Sequence, residues 1–402
     1  MLKERVSWPA VLCWLTVLLE GFDLVALGAT SLALRHAPHL EINPAGLTLV
    51  STVSLVGVAI GAVCVTPLAD VIGRRAILIA SVASFSLFTV VLPLSPNIAV
   101  FAVLRLLAGL GLGSCMPTSL TIMSEYLPVA RRARASTTTM TGYHCGAVAA
   151  SLLALTVGDR WQILFYASGV AGIVAAAVMW WKLPETAVSR AEADGDRITV
   201  VDLVRPRWLR TTLAVWVSTF MGLLLVYGLN TWLPSLMKTA GYSVSTSVAL
   251  LLVLNAGGVV GMLVAGRVGD TGGIRRTALI WFAVGGILLA VLSARMHSSV
   301  LLNVVIFATG VFVFSAQVLV YAYVAQAFPD RIRGAALGLT AGVGRLGGIL
   351  GPVITGILVS TGQAYPWGFY FFALAAGLGV LAMAAAPRVT SGRRREVSPA
   401  RT

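Results

Sequence analysis

Twelve apolar runs follow one another along the chain, and each can supply the ~20 residues that a bilayer-spanning helix needs. Their approximate limits are 10–33, 46–68, 76–94, 98–123, 136–157, 162–183, 211–235, 245–268, 277–295, 299–325, 336–360 and 366–386. Only 11% of the 402 residues are charged, whereas soluble proteins carry about 25%. The chain lacks the surface of a water-soluble fold, so we predict an all-α membrane protein with twelve transmembrane helices, numbered 1 to 12.

Basic residues are distributed unevenly between the segments that connect these runs. Of the 29 lysines and arginines, 23 lie on the side of the N-terminus and four on the opposite side. The positive-inside rule places the richer side, and with it both termini, in the cytoplasm. The net charge of +14 then reflects membrane orientation, and no nucleic-acid partner is expected.

An internal repeat divides the chain near its middle. Asp70 and Asp270 are 200 residues apart, and each is followed by a glycine three positions later and an arginine five positions later. His144 and Arg345 are separated by 201 residues and fall in predicted helices 5 and 11. We therefore predict two pseudo-symmetric six-helix bundles repeated in parallel. The predicted parts are an N-terminal bundle over 1–183, a central cytoplasmic loop over 184–210, a C-terminal bundle over 211–386 and a basic cytoplasmic tail over 387–402.

Predicted helix 1 carries two acidic residues, Glu20 and Asp23, close to its midpoint. Their spacing of three residues places both on one helix face, about one turn apart. An ionised side chain at mid-membrane costs ~2.5–3.5 kcal/mol. Two unpaired acids there would tend to keep at least one proton, because burial and mutual repulsion both disfavour full ionisation. We therefore interpret this pair as a proton-coupling site.

Arg105 lies about eight residues into predicted helix 4 and needs an acidic or carbonyl partner there. Charged groups inside a membrane are usually functional, so we assign it to proton coupling or gating, with static ion pairing as the alternative. The glycines that follow it at 109, 111 and 113 allow neighbouring helices to approach closely.

The loops after predicted helices 2 and 8 resemble the Gly-x-x-x-Asp-x-x-Gly-Arg-Arg signature of the major facilitator superfamily. Both copies depart from it, with Thr66 at the first glycine of one copy and Ile274 at the first arginine of the other. The resemblance implies a conformational role for these loops, and a fixed loop clasp is the alternative. The matching residues are Asp70, Gly73, Arg74, Arg75, Asp270 and Arg275.

Within that superfamily, four stretches resemble the aromatic acid:proton symporter family, which includes carriers of benzoate, 4-hydroxybenzoate and 3-(3-hydroxyphenyl)propionate. The stretches are 20–23, 230–234, 331–334 and 344–347. The family usually has Asp at the first acid, and Glu20 is more similar to the 3-(3-hydroxyphenyl)propionate type. The resemblance covers essentially the whole chain and implies the major facilitator fold.

An organic anion in this fold needs a cationic group near mid-membrane to replace its hydration. Arg345 is the candidate for the substrate carboxylate, with His144 as a second donor or proton relay. For each the alternative is a buried structural partner. Flat aromatic or amide side chains could line the ring site, and ordinary packing is their alternative. These candidates are Tyr143, Tyr227, Trp232, Gln317 and Tyr321.

Together these features predict a secondary transporter that imports a small aromatic carboxylate with protons by alternating access. We expect a monomer in the bacterial plasma membrane whose partners are the substrate, protons and the lipid bilayer. No nucleotide-binding loop or Cys/His ligand set is visible, so we expect no enzymatic activity, cofactor or metal. The alternatives are a carrier of another organic anion, proton-driven efflux of a cationic compound, and a sensor that signals through the central loop.

Overall fold

The computed structural model describes residues 8–35, 37, 40, 42–126, 129–184, 203 and 205–388. At positions 70, 124–126, 129–137, 270, 330, 331 and 334 it describes the backbone alone. Within the described part, every long element is a helix, and twelve helices are long and apolar enough to cross a bilayer. The prediction of an all-α protein with twelve transmembrane helices is therefore confirmed.

The twelve long helices are labelled α1 to α12 in chain order. They are α1 (Trp8–Ala29), α2 (Pro44–Ile60), α3 (Arg74–Val91), α4 (Ile98–Tyr126), α5 (Val129–Val157), α6 (Gln162–Lys182), α7 (Pro206–Thr239), α8 (Val244–Gly272), α9 (Ile274–Val291), α10 (Ser299–Ala327), α11 (Asp330–Ser360) and α12 (Trp367–Ala385). Helices α5, α7 and α11 begin before the apolar runs that predicted them, because polar residues can extend a helix beyond the membrane.

The two copies of the repeat differ where α2 and α8 end. After Ile60 the chain continues through a π-helical turn (Gly61–Val65), a 3-10 turn (Thr66–Leu68) and a short helix (Ala69–Ile72). Pro67 has no N–H and cannot continue the helical hydrogen-bond ladder. In α8 the equivalent residue is Arg267, and the helix is continuous to Gly272. Both copies then turn at a glycine with positive φ, 112° at Gly73 and 83° at Gly273.

Helix packing repeats with the same spacing as the sequence motifs. In α2, Gly57 lies against the carbonyl of Leu106 in α4, and in α8, Gly257 lies against the carbonyl of Phe307 in α10. Gly146 of α5 meets the α1 backbone, and its counterpart Gly347 of α11 meets the α7 backbone. A Cβ at any of these glycines would collide with backbone atoms, so small residues permit these close contacts.

In the described structure, three pairs of long helices make the most extensive contacts between the two halves. Helix α1 packs on α7, where Gly28 lies beneath the carbonyl of Asn230. Helix α2 packs on α11, where Thr48 contacts Gly356. The third pair is α5 with α8. The first two contacts lie toward the end where α1 ends and α2 begins, which is the predicted external end. The polar residues described next lie deeper in the molecule, between the halves.

Large apolar side chains cover the outside of the bundle. Trp181 is 78% exposed, Val300 75% and Leu381 66%. A lipid environment rather than water suits such a surface. The structure is therefore that of a multi-pass membrane protein.

Candidate functional site

Asp23 of α1 forms a closed network inside the N-terminal half. Its Oδ1 accepts a hydrogen bond from Arg105 Nη1 of α4 at 2.6 Å. Its Oδ2 accepts from Thr89 Oγ1 of α3 at 2.7 Å and from Ser168 Oγ of α6 at 3.5 Å. The Asp23 and Arg105 side chains are essentially unexposed. Arg105 thus has the acidic partner that its position requires, and Asp23 has a partner on each carboxylate oxygen.

Glu20 lies one turn earlier in α1 and has a different environment. It is 1% exposed, and its Oε2 has no hydrogen-bond partner among the described residues. The guanidinium of Arg345, on α11 in the other half, interacts with it electrostatically. The three-residue spacing predicted two equivalent acids, but only Glu20 has an unpartnered carboxyl oxygen. The difference arises because three polar side chains of α3, α4 and α6 converge on Asp23.

Arg345 joins several predicted site residues into one cluster. It is partly buried and interacts electrostatically with Glu20 and with three tyrosines of α5, α7 and α10. The tyrosines are Tyr143, Tyr227 and Tyr321. The Tyr143 hydroxyl is buried and has no hydrogen-bond partner in the described part of the chain. Cationic, acidic and aromatic groups of five helices from both halves therefore come together.

His144 is held by a hydrogen-bond chain that crosses between the halves. Its Nδ1 lies 2.9 Å from Asn255 Oδ1 of α8, and its ring stacks on Phe314 at a centroid distance of 4.7 Å. Asn255 Nδ2 donates to Asn230 Oδ1 at 2.8 Å, and Asn230 Nδ2 donates to the carbonyl of Val226. Since the Asn255 oxygen is an acceptor, His144 Nδ1 is the donor in this chain.

Sequence reasoning overlooked Asn255. An asparagine in the middle of an apolar transmembrane helix needs a polar partner, usually on another helix. That signal was present in the sequence, but the identity of the partner depended on how the two halves pack.

Two further candidates have separate environments. Gln317 of α10 is 4% exposed and interacts with the side chain of Tyr321, one turn along the same helix. Its side chain fits against Gly222 of α7, where a Cβ would collide with it. Trp232 is fully buried, and its Nε1 donates to the carbonyl of Pro352 at 2.9 Å. Trp232 therefore ties α7 to α11, whereas Gln317 lies beside Tyr321 of the Arg345 cluster.

The signature loops place their arginines on the last helix of each half. Arg75 donates to the carbonyl of Trp180 in α6 and lies over its ring. Arg275 donates to the carbonyls of Ala384 and Ala386 at the end of α12, at 2.7 and 2.8 Å. Arg74 begins α3. The side chains of Asp70 and Asp270 lie outside the described set, so their predicted conformational contacts stay predictions.

A small cavity adjoins the cluster between α1, α2, α4, α5 and α7. Leu24, Leu27 and Leu55 form apolar walls, and Tyr143 and Tyr227 form aromatic ones. Among the described residues, no cluster of three His, Cys, Asp or Glu side chains could hold a metal ion.

A family model described as Major Facilitator Superfamily matches residues 13–294 and 275–402. The chain belongs to the major facilitator superfamily. A gallate transporter from Pseudomonas putida is 32% identical over 95% of this chain and 93% of its own length. A gentisate transporter from Corynebacterium glutamicum is 33% identical over 92% of this chain and 85% of its own length.

A solved structure shares the fold of this superfamily member. The crystal structure of a D-xylose-proton symporter matches with a TM-score of 0.76 at 15% sequence identity, over 96% of this chain and 98% of that one. The resemblance to aromatic acid carriers of the major facilitator superfamily, first inferred from short motifs, is confirmed by similarity over nearly the whole chain.

Proposed function

We propose that this chain is a secondary transporter that imports a small aromatic carboxylate together with protons by alternating access. The observation that carries the proposal is Glu20, a buried acid with one unpartnered carboxyl oxygen that interacts electrostatically with Arg345 of the other half. The names of its relatives, transporters of gallate and gentisate, support an aromatic acid as the substrate. The location proposed is the bacterial plasma membrane, with both termini cytoplasmic.

The charges of this pair suggest how substrate and proton are coupled. Without substrate, ionised Glu20 and Arg345 sum to zero charge. A substrate carboxylate that binds Arg345 replaces Glu20 as its counter-ion, and Glu20 then takes up one proton. The loaded site again has zero net charge, so neither the empty nor the loaded carrier moves an unpaired charge through the low-dielectric interior.

Asp23 and Arg105 have a different role in this mechanism. Their carboxylate and guanidinium satisfy each other, with Thr89 and Ser168 on the second oxygen. We assign Glu20 to proton transfer, and we assign the Asp23–Arg105 pair to holding α1 in place beside the site.

The contacts between the halves support an inward-open state. The contacts of Arg35 with Ser235, of Gly28 with Asn230 and of Thr48 with Gly356 close the predicted external end. Toward the predicted cytoplasmic end of α11, a Cβ at Gly338 would meet nothing within 4 Å. Reorientation would break the external contacts and close the opposite end.

Uptake by proteoliposomes tests the proposal. An imposed gradient, acidic outside, should drive accumulation of labelled 3-hydroxybenzoate or benzoate. Glu20→Gln should abolish gradient-driven accumulation while substrate exchange continues, because a permanently neutral side chain mimics the protonated state. Asp159→Asn, which removes an acid between α5 and α6, is the matched control and should accumulate substrate normally. Accumulation by Glu20→Gln at the wild-type level would refute the coupling role.

A further inference from the structure

The cavity beside the cluster contains buried polar groups without partners. Ser54 of α2 is 2% exposed, Tyr143 is 5% exposed, and both line the cavity. Neither hydroxyl has a hydrogen-bond partner among the described residues. Arg105 also lines the cavity, and its Nε is likewise unpartnered in the described structure, since Asp23 engages only Nη1. Buried polar groups of a native protein normally have partners, and the position of these three around one cavity points to an occupant that they bind.

Polar groups of the cavity that already have hydrogen-bond partners are not available to that occupant, so the remaining groups determine its chemistry. Asn230 lines the cavity, but its amide is used by Asn255 and by the carbonyl of Val226. The unpartnered groups are two hydroxyls, which can donate or accept, and one guanidinium N–H, which donates. The hydroxyls of Ser51, Thr231 and Tyr227 also line the cavity. The cavity has no unpaired charge for a second carboxylate, because Arg105 is neutralised by Asp23. A neutral group that both donates and accepts fits best, and a hydroxyl is the smallest organic group that does so.

The position of the cavity relative to Arg345 fits a substituted ring. Tyr143 and Tyr227 line the cavity and also interact electrostatically with Arg345. A carboxylate at Arg345 would therefore bring its ring beside these two tyrosines, with a ring substituent at the mouth of the cavity.

From this arrangement we infer that Ser54 and Tyr143, with Arg105 Nε, form hydrogen bonds with a hydroxyl group on the substrate ring. These bonds would make the protein prefer hydroxylated over unhydroxylated aromatic carboxylates. This inference rests on the proposed function, because it takes Arg345 as the carboxylate site. It assigns selectivity between hydroxylated and unhydroxylated rings to residues of α2, α4 and α5.

The test compares ligands that differ only in the group offered to the cavity. Binding of benzoate and of the three positional hydroxybenzoates and methylbenzoates is measured by calorimetry on the purified full chain. At one ring position or more, hydroxyl should be preferred over methyl by at least about tenfold, since a methyl group leaves the buried polar groups unpaired. This ligand series uses the unaltered protein and so does not depend on how a variant folds.

Variants then identify the residues that provide the preference. Ser54→Ala and Tyr143→Phe should each reduce the hydroxyl-to-methyl affinity ratio about tenfold. Ser119→Ala is the matched control, because Ser119 is also a buried serine of a transmembrane helix but does not line the cavity. It should keep the wild-type ratio.

Each other outcome overturns a defined part of the inference. Equal affinity for hydroxybenzoates and methylbenzoates at every position would mean that the cavity holds only water. A hydroxyl preference that survives both substitutions would place its origin elsewhere. Failure of benzoate and of every substituted benzoate to bind would contradict the proposed function itself, and the inference with it.

Discussion

The two halves of this transporter share their packing but differ in their polar groups. Close helix contacts at glycines recur after 200 or 201 residues, with equivalent neighbours. The three charged residues buried inside the transmembrane helices of the N-terminal half have apolar counterparts at the same spacing. These counterparts are Met221 for Glu20, Leu224 for Asp23 and Ile306 for Arg105. The fold requires the glycine contacts twice, whereas it requires the acids and Arg105 in neither half, so their presence in one half points to function.

The largest difference between the halves should follow from breaking the Asp23–Arg105 pair. Asp23→Leu leaves a buried guanidinium without a counter-ion, which costs about 3–5 kcal/mol of stability. At the equivalent position of the other half, the substitution Leu224→Met conserves side-chain volume and should cost less than about 1.5 kcal/mol of stability. Thermal unfolding in detergent measures both.

A double substitution tests whether the loss of stability comes from the interaction between Asp23 and Arg105. Asp23→Leu combined with Arg105→Met removes both charges, so it should recover much of the loss caused by Asp23→Leu alone. A double variant as unstable as the sum of the two single ones would show that the two side chains do not act as a pair.

Glycine substitutions should affect the two halves alike. Gly146→Ala and Gly347→Ala each place a Cβ against the backbone of the neighbouring helix, and such overpacking costs about 1–3 kcal/mol. Gly377→Ala in α12 meets nothing within 4 Å, so it should be neutral or stabilise the helix by up to about 1 kcal/mol. Melting temperatures of the three variants test this, and unequal losses at positions 146 and 347 would contradict equivalent packing.

The hydrogen-bond chain between the halves should influence the balance between conformations. Asn255→Leu removes the partner of His144 and one partner of Asn230, at about 0.5–1.5 kcal/mol for each hydrogen bond. The His144–Asn255 bond joins the two halves as they are packed in this structure, so its loss should raise the population of the external-open conformation several-fold. The matched control is Asn303→Leu, because Asn303 is exposed on α10.

Pulsed electron spin resonance can detect this change. Spin labels at positions 159 and 243, after α5 and before α8, report the separation of the predicted external ends once the four cysteines are replaced by alanine. An unchanged distance distribution in Asn255→Leu would show that the His144–Asn255 bond does not hold the halves together.

Sequence information was sufficient for the helices because hydropathy is a local property of about twenty residues. It also identified the repeat, since Asp70 and Asp270 have the same neighbours. It could not predict the break after Ile60 in detail, because the effect of Pro67 depends on how the freed carbonyls are satisfied.

The sequence predicted which residues belong to the candidate site, but not that Glu20 and Asp23 have different partners within it. Glu20 and Asp23 are indistinguishable by spacing, and the partners that separate them, Thr89 and Ser168, resemble ordinary helix residues in the sequence. Such partners are chosen by three-dimensional packing. Trp232 illustrates the same limit, since its indole N–H binds a backbone carbonyl that no sequence motif indicates.

The smallest expected effect concerns Arg75 and Arg275, which bind carbonyls at the ends of α6 and α12 in their own halves. A cation at a helix C-terminus contributes about 0.3–1 kcal/mol, so Arg75→Gln and Arg275→Gln should lower stability by that amount and by similar degrees. If these arginines only form a fixed clasp, the transport rate of each variant should be close to the wild-type rate when it is measured at a temperature low enough for the variant to stay folded. If transport falls at least about tenfold in either variant while its melting temperature is unchanged, the arginine acts in the conformational change, and its partner must then be sought in Asp70 or Asp270.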